Sequence, residues 1–172
     1  QKKLTDDAYQ EYLELAKQLS INRIEASQKL TKEVNKELPG LKLENAEFSI
    51  IVNPLQDTLF SSLGIDDVKF YAQTNKDTKL GKISEIASGG ELSRFLLIMK
   101  LVMEKDNIIK TLIFDEVDSG VGGATASAIG NKLLKIGKKQ QTIVVTHSPQ
   151  VASKGDHHIV IKKIVMENET IT

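Results

Sequence analysis

Four short stretches of this chain combine residue types and spacing that could do chemistry. Ser88-Gly89-Gly90-Glu91 precedes a run of helix-forming residues. Glycines let a backbone approach a phosphate closely, a helix start offers unpaired N–H groups, and Ser88 adds a hydroxyl. The plainer alternative is a turn with a serine N-cap. Thr111 to Glu116 is an apolar strand closed by two carboxylates, Asp115 and Glu116. Asp115 is suited to holding Mg²⁺, directly or through water. Glu116 is suited to polarising an attacking water, help worth ~10²–10⁴ in rate. The alternative is a pair that caps a helix or faces solvent. Val117 to Gly123 carries Asp118, Ser119 and Gly120, with three glycines between positions 120 and 123. It is a loop of unusual backbone freedom or an ordinary flexible connection. Thr146-His147 closes a second apolar strand, where an imidazole could donate to a terminal phosphate or act as a structural hydrogen-bonder. His157-His158 has no cysteine or other clustered histidine near it and reads as structural, not as a metal site.

Particular elements must hold these stretches. Apolar residues at Leu4, Ala8, Tyr12, Leu15, Leu19, Ala26, Leu30, Val34 and Leu38 predict one long helix, stopped by Pro39-Gly40. The spacing is close to a heptad between Tyr12 and Ala26, with Asn22 on the same stripe. A coiled-coil arm and an amphipathic helix lying on a domain both fit. Phe48 to Val52 and Val68 to Ala72 alternate as strands with one buried side, joined by a polar loop around Asp66-Asp67. Glu91 to Met103 and Ala124 to Ile136 read as helices, the second stopped by Gly137. Leu112-Ile113-Phe114 and Ile143-Val144-Val145 read as parallel strands buried on both faces. His158 to Val165 and Thr170 to Thr172 read as a hairpin around Glu167-Asn168-Glu169. The second half is thus strand–helix–strand, an α/β pattern.

Composition narrows the function classes. The 172 residues carry 23 Lys plus Arg against 23 Asp plus Glu, a net charge of zero, without the global basic field of a free-standing nucleic-acid binder. Lys132, Lys135, Lys138 and Lys139 form the densest basic cluster, read first as a solvated helix end. Cysteine is absent, which excludes disulfides and cysteine-ligated zinc. The longest apolar run, Phe95 to Met99, is far short of the ~20 residues of a membrane span, so no membrane partner is expected. No stretch matches G-x-x-x-x-G-K-[ST]; Gly81-Lys82 and Gly137-Lys138 both lack the upstream glycine and the following Ser or Thr. Gln1 opens directly into helical sequence, which reads as part of something longer.

The order of the motifs resembles the C-terminal lobe of an ABC-type ATPase head, in wording close to bacterial DNA-repair relatives of the SMC proteins. The resemblance lies in Ile86 to Arg94, Leu112 to Val121 and Thr146 to Ala152, and extends over nearly the whole chain. It implies an α/β fold, a parallel-rich sheet flanked by helices and preceded by a coiled-coil-like helix, divided into an arm at 1–38 and an ATPase lobe at 39–172. In that family Ser88, Gly89, Gly90 and Glu91 would form the signature loop, reaching the γ-phosphate of ATP bound by an opposite head. Asp115 would take the magnesium position, Glu116 that of the catalytic base, and His147 that of the switch histidine. Asp118, Ser119 and Gly120 would contact the other head. The implied cofactors are ATP and Mg²⁺. The implied partners are an N-terminal lobe supplying the phosphate loop, a second head, and double-stranded or broken DNA. The implied setting is the bacterial cytoplasm, associated with the nucleoid.

The sequence departs from the family in lacking the phosphate-loop lobe and the outgoing coiled-coil arm, and in stopping soon after the strand that follows His147. Gly122 also stands where Ser is more usual. Two further readings stay open. One is a non-catalytic remnant that binds a head or DNA, or does nothing; the other is a transporter-type ABC subunit, against which the helix Leu4 to Leu38 argues.

Overall fold

A computed structural model describes residues 2–77, 79–86, 88–103, 111–162, 164–166 and 169–171. The chain opens with helix α1, Lys2–Glu37, and turns through a 3-10 segment, Pro39–Leu41. Strands β1 (Glu47–Pro54), β2 (Asp66–Gln73) and β3 (Gly81–Lys82) form an antiparallel sheet in that order. Helix α2, Gly89–Val102, precedes β4, Leu112–Asp115. Helix α3, Gly123–Gly137, leads to β5, Thr142–Val145, which pairs parallel with β4. A four-residue helix, α4 (Pro149–Ala152), and an antiparallel hairpin, β6 (Ile164–Met166) with β7 (Glu169–Ile171), complete the order.

The two periodicities place the core. In α3 the buried residues are Ala126, Ile129, Gly130, Leu133 and Ile136, one helical stripe. In α2 they are Gly90, Arg94, Phe95, Leu97 and Ile98. These faces meet Val34 of α1, Leu38 just after it, and Leu41, Leu43, Phe48, Ala72, Phe114, Val117 and Val151 in a single cluster. The last two turns of α1 therefore belong to the core. Asn35 anchors them: its side-chain Nδ2 donates to the Phe48 carbonyl (2.7 Å) and its Oδ1 accepts from the Phe48 N–H (2.8 Å). The amide side chain acts on β1 as a neighbouring strand would.

The first half of α1 behaves differently. Ala16 is buried, whereas Leu15, Leu19, Ile21 and Ile24 are exposed. The side facing the body is polar. Tyr12 donates to the Ser61 carbonyl (3.0 Å), Ser20 to Asp66 (2.7 Å), and Arg23 to Asp66 (3.0 Å) and to the Leu63 carbonyl (2.6 Å). The helix thus lies on the β1–β2 connection largely by hydrogen bonds; of the heptad-like stripe, Tyr12 and Leu19 touch the connection, while Leu15, Asn22 and Ala26 face outward.

Several expectations need correction. The alternation in β1 and β2 holds in the register, with Phe48 opposite Ala72, Ile50 opposite Phe70 and Val52 opposite Val68. Burial fades along it, so that Val68 and Phe70 are exposed while Phe48 and Ala72 are buried. Asp66 and Asp67 open β2; the connecting loop precedes them. Strands β4 and β5 are not covered on both faces. Phe114 is buried, but Ile113 is 69% and Val145 57% exposed, and Ile143 is exposed beside them. A continuous apolar run says that both faces are apolar; it does not say that this chain covers both. The final hairpin forms, but its first strand starts at Ile164, and residues 158–162 carry no strand. Glu167, Asn168 and Thr172 of the expected hairpin lie outside the described residues.

Candidate functional site at the ends of β4 and β5

Three backbone features bring the candidate residues together. The β4–α3–β5 crossover places the ends of two parallel strands side by side, pairing Asp115 with Val145. Asp115-Glu116 and Thr146-His147 therefore leave the sheet at the same edge. Helix α2 starts against this edge: the Ser93 hydroxyl donates to the Asp115 carbonyl (2.9 Å), and the Arg94 guanidinium Nη1 donates to the Ser119 carbonyl (2.9 Å). The loop after β4 closes as a tight turn, with Ser119 N–H donating to the Glu116 carbonyl (2.9 Å) and Val121 N–H to the Asp118 carbonyl (3.3 Å).

Ser88 is the N-cap of α2, its hydroxyl oxygen accepting from the Glu91 N–H at 3.4 Å. The turn-and-cap reading of this stretch is thus realised, with Ser88 and Gly89 exposed at the helix start. Gly90 is buried because the loop after β4 lies on it. A Cβ there would stand 3.0 Å from Ser119 Cβ and 3.2 Å from the Ser119 carbonyl. A Cβ on Gly89 would stand 3.1 Å from Glu116 Oε2, so the candidate base lies beside the candidate signature loop of its own chain.

Asp115 and Glu116 are exposed. Glu116 holds φ at +54°, a left-handed conformation that costs a non-glycine residue about 1–3 kcal/mol. The turn that sets Val117 inward and Glu116 outward imposes it. Asp118 points the other way: it is 1% exposed and accepts a short hydrogen bond from the Thr146 hydroxyl, whose oxygen accepts from the Ser148 N–H (3.0 Å). What the loop presents outward is Gly120, exposed at φ +69°, with its carbonyl held by Lys42 Nζ at 3.1 Å. His147 is exposed at the end of β5. It is seated indirectly by α4, which packs so closely on α3 that a Cβ on Gly130 would meet the Gln150 carbonyl at 3.1 Å.

The structure therefore gathers Ser88, Gly89, Gly90, Glu91, Asp115, Glu116, Asp118, Ser119, Gly120 and His147 around one edge. His157 and His158 are exposed away from any acidic cluster, and no group of three or more His, Asp or Glu that could hold a metal is found among the described residues. No local pattern marks the holding role of three residues: Ser93 and Arg94, which fall inside a helix at the end of the resembling stretch, and Lys42, which sits 78 positions before the glycine it binds. The basic cluster on α3 is partly spent within the fold, since Lys132 forms an ion pair with Glu37 of α1.

For the implied group, the chemistry of the donor set can be tested. A Mg²⁺ on a nucleotide usually takes one or two carboxylates, with phosphates and waters as its other ligands. The exposed Asp115 carboxylate fits the part of one such ligand. The nucleotide does not find its phosphate cradle here, because the glycine-lysine loop is absent from the sequence.

The fold is that of part of an SMC head. Among solved structures, it is similar to the Smc head domain with an extended coiled coil from Pyrococcus furiosus, solved bound to the C-terminal domain of ScpA. That likeness has a TM-score of 0.57 at 18% identity and covers 83% of this chain and 34% of that one. The Smc head with a coiled coil and joint from Pyrococcus yayanosii gives a TM-score of 0.52 at 17% identity, covering 75% and 23%. In sequence, the chain is similar to RecN proteins. It is 45% identical over 161 residues to the DNA repair protein RecN of Rickettsia typhi, and 38% identical over 168 residues to that of Vibrio cholerae. These matches cover 94% and 97% of this chain, which spans only 29% and 30% of the length of those relatives. No protein-family profile matches the chain. Among the described residues no helix is long and apolar enough to cross a membrane.

Proposed function

We propose that the chain is the C-terminal lobe of a RecN-like ATPase head, acting in recombinational repair of DNA double-strand breaks inside the bacterial cytoplasm. The observation that supports it most is the meeting of the helix start at Ser88–Glu91, the carboxylates at the end of β4 and the histidine at the end of β5 on one edge, in a chain of RecN-like sequence. In this reading an N-terminal lobe would supply the phosphate loop and bind ATP with Mg²⁺, which would supply charge neutralisation at the phosphates. Asp115 contributes one ligand to that ion. Glu116 accepts a proton from the attacking water, and His147 donates to the terminal phosphate. Ser88, Gly89 and Glu91, with Ser119 and the exposed Gly120, face a second head, while the buried Gly90 and Asp118 hold those surfaces in place. Residues 1–38 return the coiled-coil arm and 39–172 form the lobe. DNA is the cargo of the complete dimer; a lobe of zero net charge has little electrostatic attraction of its own for it.

The test is reconstitution. Joined to the N-terminal lobe of a RecN relative, the chain is expected to hydrolyse ATP, and Glu116→Gln to lower the rate ~10²–10⁴-fold while nucleotide binding persists. A completed head that binds ATP without hydrolysing it would favour the non-catalytic reading.

A further inference from the structure

Two of the buried side-chain atoms without a hydrogen-bond partner among the described residues are Arg94 Nε and Asp118 Oδ1. Both sit where the loop Val117–Val121 is held from opposite elements. Arg94, 5% exposed, rises from the second turn of α2, and Asp118 is tied to Thr146 at the end of β5. The cost of burying a guanidinium is large, and a Met or Leu of similar volume would fill the same space without it. Burial indeed pulls the Arg94 guanidinium below its ordinary range, with Glu91 acting weakly against it. In return, Nη1 makes its bond to the Ser119 carbonyl at 2.9 Å and lies where a Gly90 Cβ would meet it at 3.2 Å. One side chain therefore touches both the start of α2 and the loop after β4.

We propose that Arg94 is a positioning residue that locks the Ser88–Glu91 loop to the Asp118–Gly120 loop, so that the two surfaces meant to face a second head move as one body. The proposal rests on the ATPase reading above and adds to it a residue that touches neither nucleotide nor metal. The Thr146–Asp118 bond extends the same body to His147. A displacement of one loop would then carry the others with it, and misplacement by an ångström is enough to cost up to ~10²-fold in rate.

The experiment compares Arg94→Met, which fills the space without a donor, and Arg94→Lys, which keeps one donor and the charge, in the reconstituted head, with Glu116→Gln alongside. R94M is expected to lower kcat roughly 10- to 100-fold with KM for ATP within about two-fold of wild type, because a positioning defect falls on the transition state. The Ser119 and Val121 amides should exchange hydrogen about ten-fold faster while the interior of α3 is unchanged. R94K should recover part of kcat and part of the protection. Wild-type kcat and wild-type exchange in R94M would show that Arg94 only fills space and would overturn the proposal. Should R94M fail to fold, Arg94→Gln, too short to reach the Ser119 carbonyl, decides: kcat and exchange both at wild-type values overturn it, and lowered kcat with faster exchange upholds it. Unchanged R94M beside an inactive E116Q would sink this proposal alone, whereas a wild-type head without hydrolysis would sink the ATPase reading with it.

Discussion

Asn35 shows how much one side chain decides in this fold. Its amide satisfies both backbone groups of Phe48 and also donates to the Thr31 carbonyl at 2.9 Å, joining the helix to the edge of the sheet. Asn35→Ala leaves the Phe48 N–H and carbonyl without partners at the margin of the core. Leaving such groups unsatisfied costs about 1–3 kcal/mol. Urea unfolding of N35A is expected to show a lower midpoint with an unchanged slope; a wild-type midpoint would mean that water replaces the amide fully. No spacing rule reveals this residue, because a polar residue on a helix reads as solvent-facing until the strand beside it is known. Arg94 is hidden for the same reason. Ser88, Asp115, Glu116 and His147 were legible because glycine pairs, paired acids and strand ends are local signals.

At the scale of elements, α1 and α3 are held together partly by charge. The Glu37 carboxyl is held below the ordinary carboxylate range, first by its hydrogen bond to Lys132 against an opposing push from burial, with the positive charges of Lys132, Lys135 and Lys36 helping. A carboxyl depressed in the folded state binds protons more readily when unfolded. Its contribution is therefore complete above the ordinary carboxylate range and is lost as pH falls through the lower, folded-state value. The pair is partly exposed, so the effect is modest and weakens with salt. Lys132→Met is expected to flatten the acid side of the stability–pH profile and leave little difference from wild type in high salt. Parallel acid limbs in denaturation series at several pH values would rule the pair out as a contributor.

On the scale of the whole molecule, the sheet β4–β5 exposes an apolar face through Ile113, Ile143 and Val145, and the segment after α4 exposes Ile159, Val160 and Ile161. Contiguous exposed apolar surface of this kind invites association. The proposed N-terminal lobe would cover it. Ile113→Asp with Val145→Asp should reduce self-association of the isolated chain in sedimentation velocity, and should weaken capture of an N-terminal RecN lobe in a binding assay. Normal capture by the double variant would place the lobe contact elsewhere.

Residue order alone placed the longer elements and the candidate residues, since helix and strand periods and loop motifs are properties of neighbours along the chain; it did not show β3, α4 or where the last hairpin begins. The long helix, the two β-strand pairs and the strand–helix–strand half were each legible from spacing. Tertiary structure decided which apolar faces are covered, because an exposed Ile113 and a buried Phe114 differ only in what packs above them. It turned Leu15, Asn22 and Ala26 outward by seating the other side of α1 on the β1–β2 connection through Arg23 and Asp66. It also decided that Asp118 points inward to Thr146 while Gly120 points out, since a loop's direction is set by hydrogen bonds to residues far away in sequence.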